Sequence, residues 1–234
     1  MMKTMKTLIA VSALALITAC GGGGGGGGAA APVASTSAFP LHDIYVSTYT
    51  TTSAANFTVS GTVSGYSVTG SGTTTDGAVS AGTFEGAAAQ QRTTTVTGSI
   101  VANGQTISLA SSSISWVDSN YVPLGDSGGS EYIVVTSSTP IPNAAHVNDT
   151  GTWYTANRYT NSNKTTLNGT RTVTYVLEAD TATTALLSLI ATDKNTSGTT
   201  TETDVQQYRV TAAGTYTNVK QTAVKSGTNL VITF

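Results

Sequence analysis

Residues 171–178 read Arg-Thr-Val-Thr-Tyr-Val-Leu-Glu, and this stretch decides the fold class. Val173, Tyr175 and Leu177 occupy every second position, and Thr172, Thr174 and Glu178 lie on the opposite face. Because successive side chains of a β-strand point to opposite faces, this spacing gives one apolar face and one wet face. An antiparallel sheet with one face on the core has this pattern. The stretch therefore predicts an antiparallel strand.

Similar short alternating segments recur from residue 40 to the carboxyl end, broken by turn residues and without a convincing amphipathic helix. The first predicted strand, residues 43–51, opens with Ile-Tyr-Val. Asn103-Gly104 predicts a two-residue hairpin, since this pair accommodates the positive φ of a type I′ turn. About a dozen strands in this length predict an all-β fold, an antiparallel β-sandwich or a barrel-like meander, built either as one unit or as two packed β subdomains.

Pro140 and Pro142 mark the best internal boundary, because two prolines one residue apart cannot both belong to a paired strand. The prediction is an N-terminal β subdomain over residues 40–138 and a C-terminal β-meander subdomain over residues 143–234.

The charge content is low and slightly acidic. Charged residues make up 9% of the chain and its net charge is −2, against roughly 25% charged residues in a typical soluble domain. There is no basic cluster to attract phosphates. We therefore expect no nucleic-acid partner.

The amino-terminal segment combines Lys3 and Lys6 with a short apolar run over residues 7–18. The run ends in Leu16-Ile17-Thr18-Ala19-Cys20, which resembles the lipobox of bacterial lipoproteins. The resemblance implies a signal peptide over residues 1–19, cleavage before Cys20, and covalent lipidation of its nucleophilic thiol, with palmitate-type acylation of the new amino terminus. Several acyl chains together hold a protein durably on a membrane.

Residues 20–39 form the lipidated cysteine and a flexible tether, which begins with eight glycines. A chain of this composition has an end-to-end distance of roughly 23 Å over some 18 residues. Gly21 rather than Asp follows the cysteine, which in such lipoproteins implies transfer to the outer membrane. Whether the domain faces the periplasm or the cell surface stays open. The covalent lipid is the only expected non-protein group, since Cys20 is the only cysteine and no disulfide or thiolate metal site can form.

Gly125-Asp126-Ser127-Gly128-Gly129 resembles the nucleophile segment of chymotrypsin-family proteases and also fits the α/β-hydrolase motif. A strand follows this segment where a hydrolase would have a helix. The protease triad needs an upstream histidine, and His42 is the only one. His42 and His146 are isolated and predict no transition-metal site. A serine hydrolase acting through Ser127 is therefore the least favoured alternative.

A second pattern suggests Ca²⁺. Asp193, Asn195, Ser197 and Asp204 fall at positions 1, 3, 5 and 12 of a calcium loop, with Gly198 at the sixth position. Both flanks are predicted strands rather than helices, and the same residue types are common in hairpin turns. Ca²⁺ binding is therefore a weak prediction.

Trp153, Tyr154 and Tyr159 form the strongest candidate binding surface, with Arg158 available to donate hydrogen bonds. Simple alternation places Trp153 and Tyr159 on one face of the strand and Tyr154 on the other. Exposed aromatic residues stack on sugars or anchor peptides. Packing in the core is the simpler interpretation.

The carboxyl-terminal segment, residues 230–234, resembles the last strand of outer-membrane β-barrels. A spanning barrel needs a lipid-facing apolar band on every strand, and the first-half strands carry Thr, Ser and Gly instead. We expect the lipid-free protein to dissolve without detergent.

The expected function is a non-enzymatic cell-envelope lipoprotein of the outer membrane, in which the tethered β-domain has a structural or binding role. Expected partners are the membrane, through the lipid, and an envelope protein or a glycan. A glycan- or peptide-binding module around Trp153 is the alternative.

Overall fold

A computed structural model of this chain describes residues 31–234. The predicted signal peptide, the lipidation site Cys20 and the glycine run lie outside the described residues. Within the described range no helix has the length and apolar character needed to cross a membrane.

The described chain contains one α-helix followed by thirteen β-strands. The element bounds, in chain order, are α1 Leu41–Thr50, β1 Ser53–Val63, β2 Tyr66–Asp76, β3 Ser80–Phe84, β4 Ala87–Ala102, β5 Gln105–Val117, β6 Pro123–Gly128, β7 Glu131–Ser138, β8 Thr150–Tyr159, β9 Leu167–Ala179, β10 Thr184–Lys194, β11 Thr200–Thr211, β12 Tyr216–Lys225 and β13 Thr228–Thr233.

Twelve of these strands form a closed antiparallel barrel. Neighbours in the sheet follow the chain from β4 to β13, β13 then pairs with β1, and β1 pairs with β2. The barrel closes because β2 also pairs with the second half of β4, for example Gly72 with Gly98. The remaining strand, β3, pairs with the first half of β4. The predicted all-β fold is confirmed, in its barrel-like form.

The alternation in the sequence explains which face of each strand is inside. In β1, Phe57 and Val59 are buried, whereas Asn56 and Thr58, which alternate with them, are exposed. Five strands (β1, β2, β4, β5 and β13) bury such residues in one apolar cluster inside the barrel. Position 72 of β2 requires a glycine, because a Cβ there would lie 2.6 Å from the Phe57 ring. Burial of these apolar side chains drives the sheet to close on itself.

The boundary predicted at Pro140 and Pro142 falls in the connection between β7 and β8. These two strands pair with each other, and β1 pairs with β13, so the predicted subdomains 40–138 and 143–234 both contribute to one sheet.

The segment predicted as the first strand is the helix α1, and the strand prediction there is wrong. Leu41, Ile44 and Tyr45 recur at spacings of three and four residues, which is the period of a helix face. Leu41 and Ile44 are buried, and Asp43 lies in the first turn, where a negative charge favours the helix dipole. The β-branched Ile and Val favour a strand locally, but burial of this face overrides that preference.

Helix α1 crosses one end of the barrel. Phe39, just before it, forms a bridge with Ala145 near the start of β8, and the Tyr49 hydroxyl donates to the Ser115 carbonyl at the end of β5. A helix of ten residues is about 15 Å long. Its buried face packs on Trp153, Leu177 and other inward side chains of β8 to β11.

A third cluster lies outside the barrel, under the hairpin of β3 and β4. Ser115 faces the interior, so its neighbour Trp116 faces outward, where the Phe84 ring lies 5.0 Å away. Phe84 also stacks on Tyr132 at 5.6 Å, and the Tyr132 hydroxyl donates to Glu85. This hairpin covers apolar surface that the barrel wall would otherwise expose.

Candidate functional site

The barrel interior contains a cavity of about 250 Å³ beneath α1. We call this the α1 cavity. Its roof is the helix residues Tyr45, Thr48 and Tyr49, and its walls are inward side chains of eight strands (β4, β5, β6, β8, β9, β10, β11 and β12). The lining combines aromatic rings, amides and hydroxyls with two arginines and two aspartates.

Aromatic rings line the part of the cavity next to the helix. The Tyr45 and Trp153 ring centroids are 4.6 Å apart, edge to face, and those of Trp153 and Tyr154 are 5.3 Å apart. Tyr208 of β11 completes this group. Burial raises the pKa of the Tyr45, Tyr154 and Tyr208 hydroxyls above their usual value, so these groups stay neutral.

Trp153 and Tyr154 both line the cavity although they are consecutive residues of one strand. The register with β9 shifts between Thr152 and Tyr154, so β8 contains a bulge there. A bulge re-aims side chains because two residues then oppose one on the partner strand. The simple alternation used for the sequence prediction is wrong at this point.

Tyr159 and Arg158 lie elsewhere. Tyr159 packs against the outer cluster with Tyr132, after a second register shift between Arg158 and Tyr159. Arg158 faces the interior, is 4% exposed, and forms ion pairs with Glu131 and, at 3.1 Å, with Asp193. Thus the structure brings Trp153 and Tyr154 together at the cavity, and Tyr159 is separated from them.

A buried ion-pair network stands beside the cavity. Arg171 donates two hydrogen bonds to Asp193, at 2.7 and 2.8 Å, across the β9–β10 pair in which these residues are partners. Burial opposes the charged form of Arg171, but the hydrogen bonds and the attraction of Asp193 outweigh it, and its pKa stands well above its usual value. Such bidentate pairs fix geometry as well as charge. The network holds Arg171 and Arg158 in position.

Asp204 has no such partner. It is 2% exposed and lines the cavity, and neither carboxylate oxygen accepts a hydrogen bond from any described residue. Burial, helped by the charge of Glu202, raises its pKa to about 9. Asp126, on the wall formed by β6, has its pKa raised to about 6 by burial, which Arg171 partly offsets. Two carboxyl groups thus face the cavity in an environment that disfavours negative charge.

Arg92 joins the helix to the barrel wall. Its guanidinium donates to the Thr48 and Tyr49 carbonyls at 2.6 and 3.2 Å, and lies 4.8 Å from the centre of the Tyr49 ring. These carbonyls belong to the last turn of α1, where a positive charge is favourable. Arg92 therefore fixes the cavity roof.

The serine motif does not form a loop. Residues 125–128 belong to strand β6, in which Ser127 pairs with Ile114 and Tyr132. Asp126, its neighbour, faces the cavity, so Ser127 faces the opposite side of the sheet. Within residues 31–234 no side-chain hydrogen bond joins Ser127 to His42 or to His146.

The four residues of the calcium pattern are divided between two environments. Asp193 and Asp204 face the barrel interior, and Asp193 is bound by Arg171. Asn195 and Ser197 lie in the β10–β11 turn, where the Asn195 side chain accepts the Ser197 backbone N–H. Residues 31–234 contain no group of three or more His, Cys, Asp or Glu side chains placed to hold a metal ion.

Sequence reasoning missed Tyr45, Asp126, Arg171 and Tyr208. One signal was available, because Arg171 is in phase with Val173, Tyr175 and Leu177 and therefore had to face the core. Tyr45 was missed because its segment was assigned to a strand.

The chain matches no protein-family model, no curated protein and no solved structure. The candidate site therefore rests on its own geometry.

Proposed function

We propose that this protein is a non-enzymatic, lipid-anchored component of the bacterial outer membrane, and that its barrel binds a small molecule in the α1 cavity. The observation that carries the binding role is an interior cavity of about 250 Å³ that combines aromatic rings with ionisable and amide side chains. Small-molecule sites are concave and mostly apolar, with a few placed polar groups.

The anchor part of the proposal is supported by the lipobox ending at Cys20. The outward face of the barrel fits attachment through a lipid better than insertion of the strands. Thr93, Thr95 and Thr97 of β4 are exposed on that face, whereas a lipid-facing strand presents apolar residues there.

The direction of the aromatic residues favours a small ligand over a polymer. Trp153 is 8% exposed and contacts the cavity, as does Tyr154. A polysaccharide chain or peptide would need these rings on an open surface, where they could stack along its length. In place of a glycan chain or a peptide, we therefore favour a compact ligand that fits inside the barrel.

A cavity-filling variant tests the binding role. Protein from residue 20 onward, carrying Cys20→Ser, is screened by thermal shift and native mass spectrometry against cationic, anionic and neutral small molecules. We expect at least one class to raise the melting temperature. Ala191→Phe should abolish that shift because the ring would occupy the cavity, and Thr95→Phe on the outer face should keep it. Absence of a shift with every class would contradict the binding role.

The anchor is tested separately in cells. Metabolic labelling with an alkyne fatty acid should mark the wild-type protein, and Cys20→Ala should lose both the label and the membrane fraction. A labelled Cys20→Ala variant, or an unlabelled wild type, would refute lipidation at this residue.

A further inference from the structure

We propose that the α1 cavity binds an organic ammonium ion and that Asp204 is its counter-ion. This inference rests on the proposed binding role and specifies the chemical class of the ligand.

The position of Asp204 is the first argument. Its side chain is 2% exposed, lines the cavity, and has both oxygens without a hydrogen-bond donor among the described residues. An isolated buried carboxylate is costly unless an opposite charge or a donor accompanies it. A ligand with a positive charge and N–H or polarised C–H groups supplies the opposite charge and the hydrogen-bond donors that the described residues do not provide.

The nearby guanidinium groups are already committed to other carboxylates. Arg171 binds Asp193 through two hydrogen bonds, and Arg158 pairs with Asp193 and Glu131. Two arginines thus serve the two carboxylates of the network, and Arg92, which also lines the cavity, pairs with Asp76. Asp126 and Asp204 are therefore left without a cationic partner among the described residues. The cavity therefore favours a cation over an anion.

The rest of the lining favours an organic cation over a metal ion. A metal ion needs several oxygen or nitrogen ligands around one point, and within residues 31–234 no group of three or more acidic, histidine or cysteine side chains provides them. Tyr45, Trp153 and Tyr208 instead present aromatic rings to the cavity. Aromatic rings attract ammonium groups, most strongly when water is excluded.

Size and hydrogen bonding further restrict the ligand. The cavity volume of about 250 Å³ lies just below the roughly 300–1,000 Å³ of typical small-molecule sites. Gln206 lies two residues from Asp204 on β11, and its sheet neighbour Gln221 on β12 also lines the cavity. Their amide oxygens can accept hydrogen bonds from a hydroxyl group or from a second ammonium group, so a short amino alcohol or diamine suits the site.

A pair of probes with the same shape and different charge tests the inference. Choline carries a quaternary ammonium, and 3,3-dimethylbutan-1-ol is its neutral analogue of nearly the same shape. By isothermal titration calorimetry in buffers without amines, we expect choline or 1,4-diaminobutane to bind at least tenfold more tightly than the neutral alcohol. Asp204→Asn should weaken the ammonium probe at least tenfold, because it removes the charge and keeps the shape.

Glu178→Gln is the control. Glu178 is exposed on β9 next to the inward-facing Leu177, so it faces away from the interior, and its carboxylate accepts a hydrogen bond from Ser188. This variant should change the affinity less than threefold. If Asp204→Asn fails to fold, as judged by near-ultraviolet circular dichroism, the comparison of choline with the neutral alcohol on the wild-type protein still decides the question.

Four results would overturn the inference. Equal binding of the neutral analogue would show that charge is not recognised, and unchanged affinity in Asp204→Asn would assign recognition to another group. Stabilisation of the wild type by neutral or anionic molecules alone would reject an ammonium ligand while leaving the proposed small-molecule binding intact. If no molecule of any class binds, both proposals fail.

Discussion

Asp204 is the residue whose environment departs furthest from what a carboxylate prefers. It is buried and without a hydrogen-bond donor among the described residues, and its pKa is raised to about 9 by burial. The charges that act on it are Glu202 and Asp193, which raise its pKa, and Arg171 and Lys225, which lower it. Because burial is the largest effect, the ligand-free folded state holds this side chain protonated at neutral pH.

This environment predicts a stability that falls as the pH rises. An unfolded aspartate has a pKa of about 3.9, so between there and about 9 the folded state binds a proton at Asp204 that the unfolded state lacks. The free energy of unfolding should therefore decrease across this range, by at most about 1.4 kcal/mol per pH unit, and level off above pH 9. Urea denaturation in acetate, phosphate and borate buffers measures this.

Two variants assign the pH dependence to individual carboxyl groups. Asp204→Asn should remove the decrease between pH 6 and 9 and be more stable than the wild type at pH 8. Asp126→Asn should alter mainly the range up to pH 6, because the pKa of Asp126 is raised only to about 6. A decrease between pH 6 and 9 that persists in Asp204→Asn would contradict the assignment.

At the scale of one element, α1 depends on the barrel for its position. Its N-cap residue, Pro40, makes no side-chain cap hydrogen bond, and there is no basic residue of its own in the last turn. Arg92 of β4 supplies that positive charge from the barrel wall through its hydrogen bonds to the Thr48 and Tyr49 carbonyls. The helix and the strand that fixes it are thus stabilised together.

We predict that Arg92→Ala loosens the helix. Hydrogen bonds to a charged group contribute about 1.5–3 kcal/mol each, so loss of the two should lower the free energy of unfolding by about 3–6 kcal/mol. Amide hydrogen exchange of residues 41–50 should accelerate more than that of β9 or β10. Thr93→Ala, exposed on the outer face of the same strand, is the control and should change neither quantity. Equal acceleration in all three elements would indicate a general loss of stability instead.

The strands of this barrel are largely predictable from alternation, and the exceptions have identifiable causes. The phase of Val173, Tyr175 and Leu177 predicts β9, and all three side chains belong to the cluster beneath α1. The bulge before Tyr154 could not be predicted, because it depends on the register with β9 rather than on the residues of β8. Helix α1 was missed because its segment has two competing features. Its apolar residues have the three- and four-residue spacing of a helix face, but its β-branched residues favour a strand locally.

The candidate site is predictable only in part because it is assembled by closure of the barrel. Trp153 and Tyr154 are conspicuous in the sequence, but Asp126, Arg171 and Asp204 come from three strands far apart in the chain. Which inward positions meet depends on strand order and register. Strand order and register depend on the pairings that close the barrel, β1 with β13 and β2 with β4. Neither pairing can be read from the sequences of the two strands that form it.

At the scale of the whole molecule, the closed barrel makes the two halves of the chain interdependent. The apolar cluster that contains Leu109 joins β4 and β5 to β13, and Val59 of β1 pairs with Ile232. The cluster beneath α1, which contains Leu177, joins the helix to β8–β11. Opening either cluster breaks the continuity of the sheet, so neither half can keep its pairing while the other unfolds.

We therefore predict one cooperative unfolding transition for residues 31–234. Leu109→Ala and Leu177→Ala should each cost about 2–5 kcal/mol and lower the same melting temperature, by roughly 2–4 °C per kcal/mol in a domain of this size. Tryptophan fluorescence, which reports Trp116 outside the barrel and Trp153 inside it, should coincide with far-ultraviolet circular dichroism. Thr95→Ala on the outer wall is the control. Two separable transitions, one sensitive only to Leu109→Ala and the other only to Leu177→Ala, would contradict this prediction. They would show that the segments 40–138 and 143–234 fold as independent units. Sheet pairing between the segments would then be too weak to couple their cores.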